Sequence, residues 1–237
     1  MANACAQCRI KLGFGRRLTG ATLCGDCEGK AKKSRETLSA LIRSALADEI
    51  ITAAEELSLT DTARSIGVDQ NQMNQIVSEF NDQFMVARVN DGRMPVVDDP
   101  PIILKRGETA HLVLNAELLK EIVQREFRGG SRGVSFPIGA GIRYRVGSFS
   151  GHSVVTGTKV QAVDSGTLTI TSQRAVYTGQ RKTLDMPYAK LEAVKVFTDG
   201  VQFHMSNRQN PPLFRVRSGP LAAAIVNGAA ERAQQGN

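Results

Sequence analysis

All four cysteines of this 237-residue chain fall in one stretch, CAQCRIKLGFGRRLTGATLCGDC, from Cys5 to Cys27. They form two Cys-x2-Cys pairs, Cys5 with Cys8 and Cys24 with Cys27, with fifteen residues between the pairs. A two-residue gap lets the backbone turn around an ion. Both thiolates then reach it while nearby N–H groups point at the sulfurs. Two such turns supply four tetrahedral ligands, the donor set of a structural Zn2+ site. A catalytic zinc would keep an open position, and four thiolates leave none. The expectation is one structural zinc held by Cys5, Cys8, Cys24 and Cys27. Four thiolates around Zn2+ carry a formal charge of about −2, which Arg9, Lys11 and Lys30 stand close enough in sequence to offset. So short a segment builds little apolar core, so metal binding would supply most of its folding free energy. A disulfide pair is the weaker reading in a reducing compartment. A redox Cys-x-x-Cys would need a βαβ pattern, and none is near.

The other chemistry-bearing residues do not converge. His111, His152 and His204 are scattered. GSFSG (147–151) puts Phe149 where a nucleophile elbow needs its serine. There is no Gly-x4-Gly-Lys-Ser/Thr loop, and the GAG run at Gly139–Gly141 lacks the strand–helix context of a phosphate cradle. The chain is therefore not expected to be an enzyme. Two arginine groups are candidate contacts. Arg16 and Arg17 lie between the cysteine pairs, as counter-charges or as a contact surface. Arg125, Arg128, Arg132, Arg143 and Arg145 stud the segment REFRGGSRGVSFPIGAGIRYRVG. They could grip phosphate or carboxylate from a contact loop; the competing reading is a solvated insertion between strands.

The net charge is +7, moderate for this length, with 41% hydrophobic residues and no tryptophan. The first thirty-five residues are basic, with eight Lys and Arg against Asp26 and Glu28, and the next stretch is acidic. No window has the apolar length of a transmembrane span, and the start of the chain lacks the apolar stretch of a signal peptide. The expected location is cytoplasmic, with attachment to the edge of a membrane left open.

Helical signals follow the cysteines. Leu38, Leu41, Ile42, Ala45 and Leu46 recur at helical spacing. Thr52 with Glu55 predicts a capping box, Gly67 a helix stop, and Asp69 with Gln72 the next cap. Met73, Ile76, Val77, Phe80 and Phe84 predict one third helix. Within this module the 59–77 segment has the small–glycine–apolar spacing of a helix-turn-helix at Ala63, Gly67 and Met73. Asn71, Gln72, Asn74 and Gln75 could read bases. Yet affinity for DNA comes mainly from phosphate neutralisation, and Asp61, Asp69, Glu79 and Asp82 surround the segment. An ordinary helix pair fits equally well.

Beyond PVVDDPP (95–101) the pattern turns to strands. HLVLNAELLKEIV (111–123) alternates at its start and could be helical at its end. Short strands are predicted near Leu168–Thr171, Ala175–Tyr177, Thr183–Met186, Ala193–Phe197, Val201–Met205 and Leu213–Val216. Asp199-Gly200 is a hairpin signal, and an amphipathic helix runs from Leu221 through Ile225. Strands closed by a C-terminal helix suggest a small barrel plugged at one end. The run Gly166, Leu168, Ile170, Thr171, Arg174, Val176, Tyr177, Gly179, then Lys190-Leu191 and Asp199-Gly200, resembles the bacterial pleckstrin-homology-like (PH-like) and GRAM-like domains. The likeness covers roughly residues 160–232 well and 102–160 poorly. The module order also resembles bacterial proteins with a zinc ribbon, a helical segment and a PH-like barrel. The expected class is multidomain α+β: a four-cysteine zinc ribbon (1–33), a small helical bundle (34–94), and a PH-like β-barrel with a C-terminal helix (95–237). The resemblance implies a non-catalytic adaptor or scaffold. Its barrel would bind a protein partner, a sister copy or an anionic membrane surface. The alternative is a nucleic-acid-binding regulator that uses the basic ribbon and the 59–77 segment.

Overall fold

A computed structural model describes the backbone of residues 4–137 and 143–235, with side chains except over 121–159 and after 233. Among these residues the chain is mixed α/β, with six α-helices and one antiparallel seven-stranded sheet curled into a half-barrel.

The helical half comprises α1 (Phe14–Leu18), α2 (Gly25–Ala45), α3 (Ala53–Ser65), α4 (Gln70–Glu79) and α5 (Asn81–Asn90). Local chemistry sets the starts. The Thr52 hydroxyl accepts from the Glu55 N–H, and the Glu55 carboxylate accepts from the Thr52 N–H. Asp69 and Gln72 make the same reciprocal cap on α4. Each such cap contributes about 1 kcal/mol. Gly67, at φ +78°, ends α3 in a conformation that disfavours any side chain.

The expected single third helix is two helices. At Phe80 the backbone leaves helical geometry (φ −107°, ψ 12°), and its N–H turns to the Val77 carbonyl. Phe80 keeps its ring in the helical core, and α5 starts at Asn81. Helix α5 then buries two faces. Phe84 and Ala87 join Leu38, Ile42, Ile51, Leu59 and Ile76 in the helical core. Met85, Val86 and Val89 pack on the barrel core. Helix α2 likewise runs without a break through the expected boundary at residues 33 and 34.

The sheet holds β1 (Ala110–Pro137), β2 (Arg143–Thr171), β3 (Arg174–Gly179), β4 (Thr183–Pro187), β5 (Leu191–Phe197), β6 (Gly200–Met205) and β7 (Leu213–Val216), in the order β4-β3-β2-β1-β7-β6-β5. The core is Leu168, Ile170, Tyr177, Met186, Val201, Phe203 and Phe214. Tyr177 and Phe214 lie tilted with centroids 5.0 Å apart. The last helix, α6 (Gly219–Gln235), plugs this core with Leu221, Ile225 and Val226 and packs its other side on α5. Six strand positions thus match the sequence closely. The β5–β6 turn is shifted by one residue: Thr198 and Asp199 form it, and Gly200 opens β6 opposite Phe197. Gly200 is required by space, since a Cβ there would stand 2.9 Å from the Phe214 carbonyl oxygen.

The Gly/Arg-rich segment is not a loop in its described part. β1 and β2 continue through it as one hairpin. Arg125 pairs with Val155, Arg128 with His152, Arg132 with Ser148, and Arg143 and Arg145 with Pro137 and Ser135. Two pairs of glycines fall opposite one another, Gly129 with Gly151 and Gly133 with Gly147. Glycines that resemble loop punctuation in sequence are here matched rungs. The end of 111–123 is strand, not helix. β1 meets β7 only over Ala116–Leu119, and β2 meets β3 only over Gly166–Ile170. Beyond Leu119 the hairpin is therefore a two-stranded ribbon, about 60 Å long at the usual strand rise. The side chains of its five arginines lie outside the described residues, as does the Gly139–Gly141 run.

Candidate metal centre

The four cysteines converge. Their sulfurs all lie within 4.8 Å of one another, and none is in a disulfide. Cys8 and Cys24 Sγ are 3.6 Å apart, far beyond a covalent S–S bond and close to the roughly 3.8 Å edge of a tetrahedron with 2.3 Å metal–sulfur bonds.

Each pair is positioned differently. The first lies on a tight turn closed by an Ala4–Lys11 bridge, in which the Cys5 N–H donates to Ile10 and the Arg9 N–H to Cys5. Arg9 adopts φ +61° to complete it. The second pair begins a helix: Cys24 is the N-cap of α2 and Cys27 lies in its first turn. The two halves are stitched together by the Cys24 N–H, 3.3 Å from Cys5 Sγ, and the Ala6 N–H, 2.9 Å from the Thr22 carbonyl. Leu12 and Leu23 are the main apolar cover.

The electrostatics favour a cation. Backbone N–H groups of Cys8, Cys24 and Gln7 aimed at Cys5 lower its thiol pKa to about 6, against burial. The Cys24 sulfur, burial and the other two sulfurs push Cys27 up to about 12. The Ile10 N–H lowers Cys8, but burial and the Cys24 and Cys5 sulfurs outweigh it and raise that thiol. Neighbouring sulfurs thus push Cys8 and Cys27 toward the neutral thiol, and a divalent ion at the centre of the cluster would favour their thiolates instead. The donor set fits a soft or borderline metal with tetrahedral preference.

Arg16 and Arg17 differ. The Arg16 guanidinium donates to the Leu23 carbonyl (3.0 Å) and to Glu28 Oε2 (2.6 Å), tying the loop to α2. Arg17 is half-buried. Three large apolar side chains of the module stand exposed: Ile10, Phe14 and Leu18. Sequence reasoning passed over them. Their four-residue spacing, in a segment too short to need them for a core, was the available signal.

The barrel motif is accounted for by internal contacts. Leu168, Ile170, Val176 and Tyr177 are buried, and a Cβ at Gly166 would stand 2.1 Å from the Thr178 carbonyl oxygen. Arg174 donates through Nε and Nη2 to the fully buried Glu108 carboxylate at 2.8 and 3.1 Å, and through Nη1 to Asp185 at 3.0 Å. The Thr171 hydroxyl and the Lys105 N–H also donate to Glu108, each at 2.6 Å. Burial raises the Glu108 pKa, but these four donors prevail and hold it down to about 2. The network pins the β2–β3 turn to the loop before β1. Glu108 was not identifiable from sequence, because nothing local marks it as the partner of Arg174.

In the 59–77 segment, Ala63 and Met73 are buried as a helix pair requires. Gln72 closes the α4 cap and Asn74 accepts from Gln70, so two of the four amides serve local structure. No helix among the described residues is long and apolar enough to cross a membrane. No family model, curated protein or solved structure matches this chain.

Proposed function

We propose that this chain is a non-catalytic, zinc-containing adaptor whose PH-like barrel docks a protein partner or an anionic membrane surface. One observation carries the reading. Four thiols converge at the outer end of α2, and buried packing continues from α2 through α5 to α6 and the barrel. A cysteine cluster at one end of α2 and a curled sheet reached through the shared helix α5 suit a scaffold with two ends. Four sulfurs would complete the shell of Zn2+, so the metal's contribution is to fold and fix the ribbon. The antiparallel order β4-β3-β2-β1-β7-β6-β5 with a C-terminal helix across the core supports the barrel that the motif implies. Buried Glu108 is committed to Arg174, buried Asp164 accepts from the Ser165, Arg181 and Lys182 backbone N–H groups, and half-buried Glu56 is held by Arg88 and Arg93 at 2.7 and 2.8 Å.

The test is affinity capture of the tagged full chain, with vesicle flotation in parallel. The adaptor reading expects a stoichiometric protein partner or lipid binding. Turnover of a small substrate by the chain alone, with neither partner nor lipid bound, would overturn it.

A further inference from the structure

We propose that the segment between the two cysteine pairs is a membrane-docking tip, which seats Ile10, Phe14 and Leu18 in the interfacial layer of an anionic phospholipid bilayer. These three side chains are 64%, 73% and 72% exposed. Their neighbours Leu12 and Leu23 cover the sulfur cluster instead. Phe14 and Leu18 stand four residues apart on α1 and so share one face. If a metal fixes the module, these residues are not needed to fold it, yet they are held out in water.

Charge complementarity names the partner. Residues 4–33 hold seven Lys and Arg against Asp26 and Glu28, and Arg16 already engages Glu28. Even with about −2 from four thiolates around Zn2+ the module stays positive. Arg9 and Lys11, both exposed, flank Ile10. Apolar side chains beside basic ones match an anionic bilayer, whose headgroups take the cations while the acyl boundary takes the apolar groups. Three side chains on a short segment fall well short of the roughly 1,000 Å² that a specific protein interface needs. A fluid bilayer closes around a tip of any shape. A nucleic acid would accept the cations but offer little to Ile10 and Leu18.

This inference rests on the metal-held reading of the cysteine cluster, so metal content is measured on every sample. The full chain is floated with vesicles of about three parts phosphatidylcholine to one part phosphatidylserine, and with phosphatidylcholine alone. The parent is expected to bind the anionic vesicles and not the neutral ones. Phe14→Ser with Leu18→Ser is expected to weaken binding about tenfold or more with zinc unchanged. Leu57→Ser, at an equally exposed site on α3, is expected to bind as the parent does. The chain has no tryptophan, so Phe14→Trp reports directly, with an expected blue shift of emission on anionic vesicles. A zinc-loaded parent that fails to float overturns the proposal and leaves the metal reading intact. So does a double variant that floats like the parent, equal loss in Leu57→Ser, equal binding to neutral vesicles, or an indole emission from Phe14→Trp that does not shift. A chain without zinc overturns the metal reading and the proposal with it.

Discussion

Glu108→Gln is the sharpest perturbation of the barrel. The native carboxylate is fully buried, receives two N–H groups of Arg174, and titrates at about 2 against an ordinary 4.5. A depressed folded-state pKa contributes stability that is present above the unfolded value and lost as pH falls toward the folded one. The gap of roughly 2.5 pH units corresponds to about 3 kcal/mol, of which about 2 kcal/mol is gone by pH 3. The glutamine keeps the shape but leaves the Arg174 guanidinium, 12% exposed, with Asp185 as its only carboxylate. Removing one partner of a buried pair typically costs 3–5 kcal/mol. The assay is urea denaturation of the full chain at pH 7 and near pH 3, followed by far-ultraviolet circular dichroism. The parent should lose about 2 kcal/mol on acidification from this group. The variant should start about 3 kcal/mol lower and lose correspondingly less. A variant within about 0.5 kcal/mol of the parent at pH 7, or acid loss undiminished by the substitution, would refute the reasoning.

Three further outcomes test other joints of the molecule. Arg9→Gly relieves a non-glycine residue at φ +61° and should raise resistance to chelator-driven unfolding by about 1 kcal/mol; an unchanged chelator midpoint counts against strain in the first knuckle. Gly228→Leu would place a Cβ 3.1 Å from Val89 Cγ1 and 3.2 Å from Met94 Sδ. Overpacking of about 1–3 kcal/mol should outweigh the ~1 kcal/mol gain in helix propensity, so the thermal midpoint falls; a rise would show that α6 does not dock closely on α5. Replacing residues 122–159 by a short turn between Glu121 and Val160 should leave the barrel's unfolding midpoint nearly unchanged, because the ribbon's register closes there and barrel pairing uses Ala116–Leu119 and Gly166–Ile170.

The parts legible in sequence were those set by local chemistry. The capping boxes at Thr52 and Asp69, the stop at Gly67 and the short strands from Leu168 onward depend on neighbours within a few residues. The cysteine cluster was legible because ligand geometry restricts the spacing. What sequence missed was decided at long range or by pairing. The break at Phe80 follows from α5 serving two cores at once. The hairpin was hidden because glycines that suggest loops when read singly become matched pairs only in register. Glu108 meets Arg174 sixty-six residues away. That Phe14 and Leu18 stand in water is visible only in the structure.

The central claim is that Cys5, Cys8, Cys24 and Cys27 close around one zinc ion and so fold the end of a two-ended scaffold. Elemental mass spectrometry of the purified full chain, with zinc-edge X-ray absorption on the same sample, tests it most directly. The account predicts one zinc per chain with four sulfur neighbours at about 2.3 Å. Fewer than about half a zinc per chain, or a shell containing nitrogen or oxygen in place of a sulfur, would contradict it.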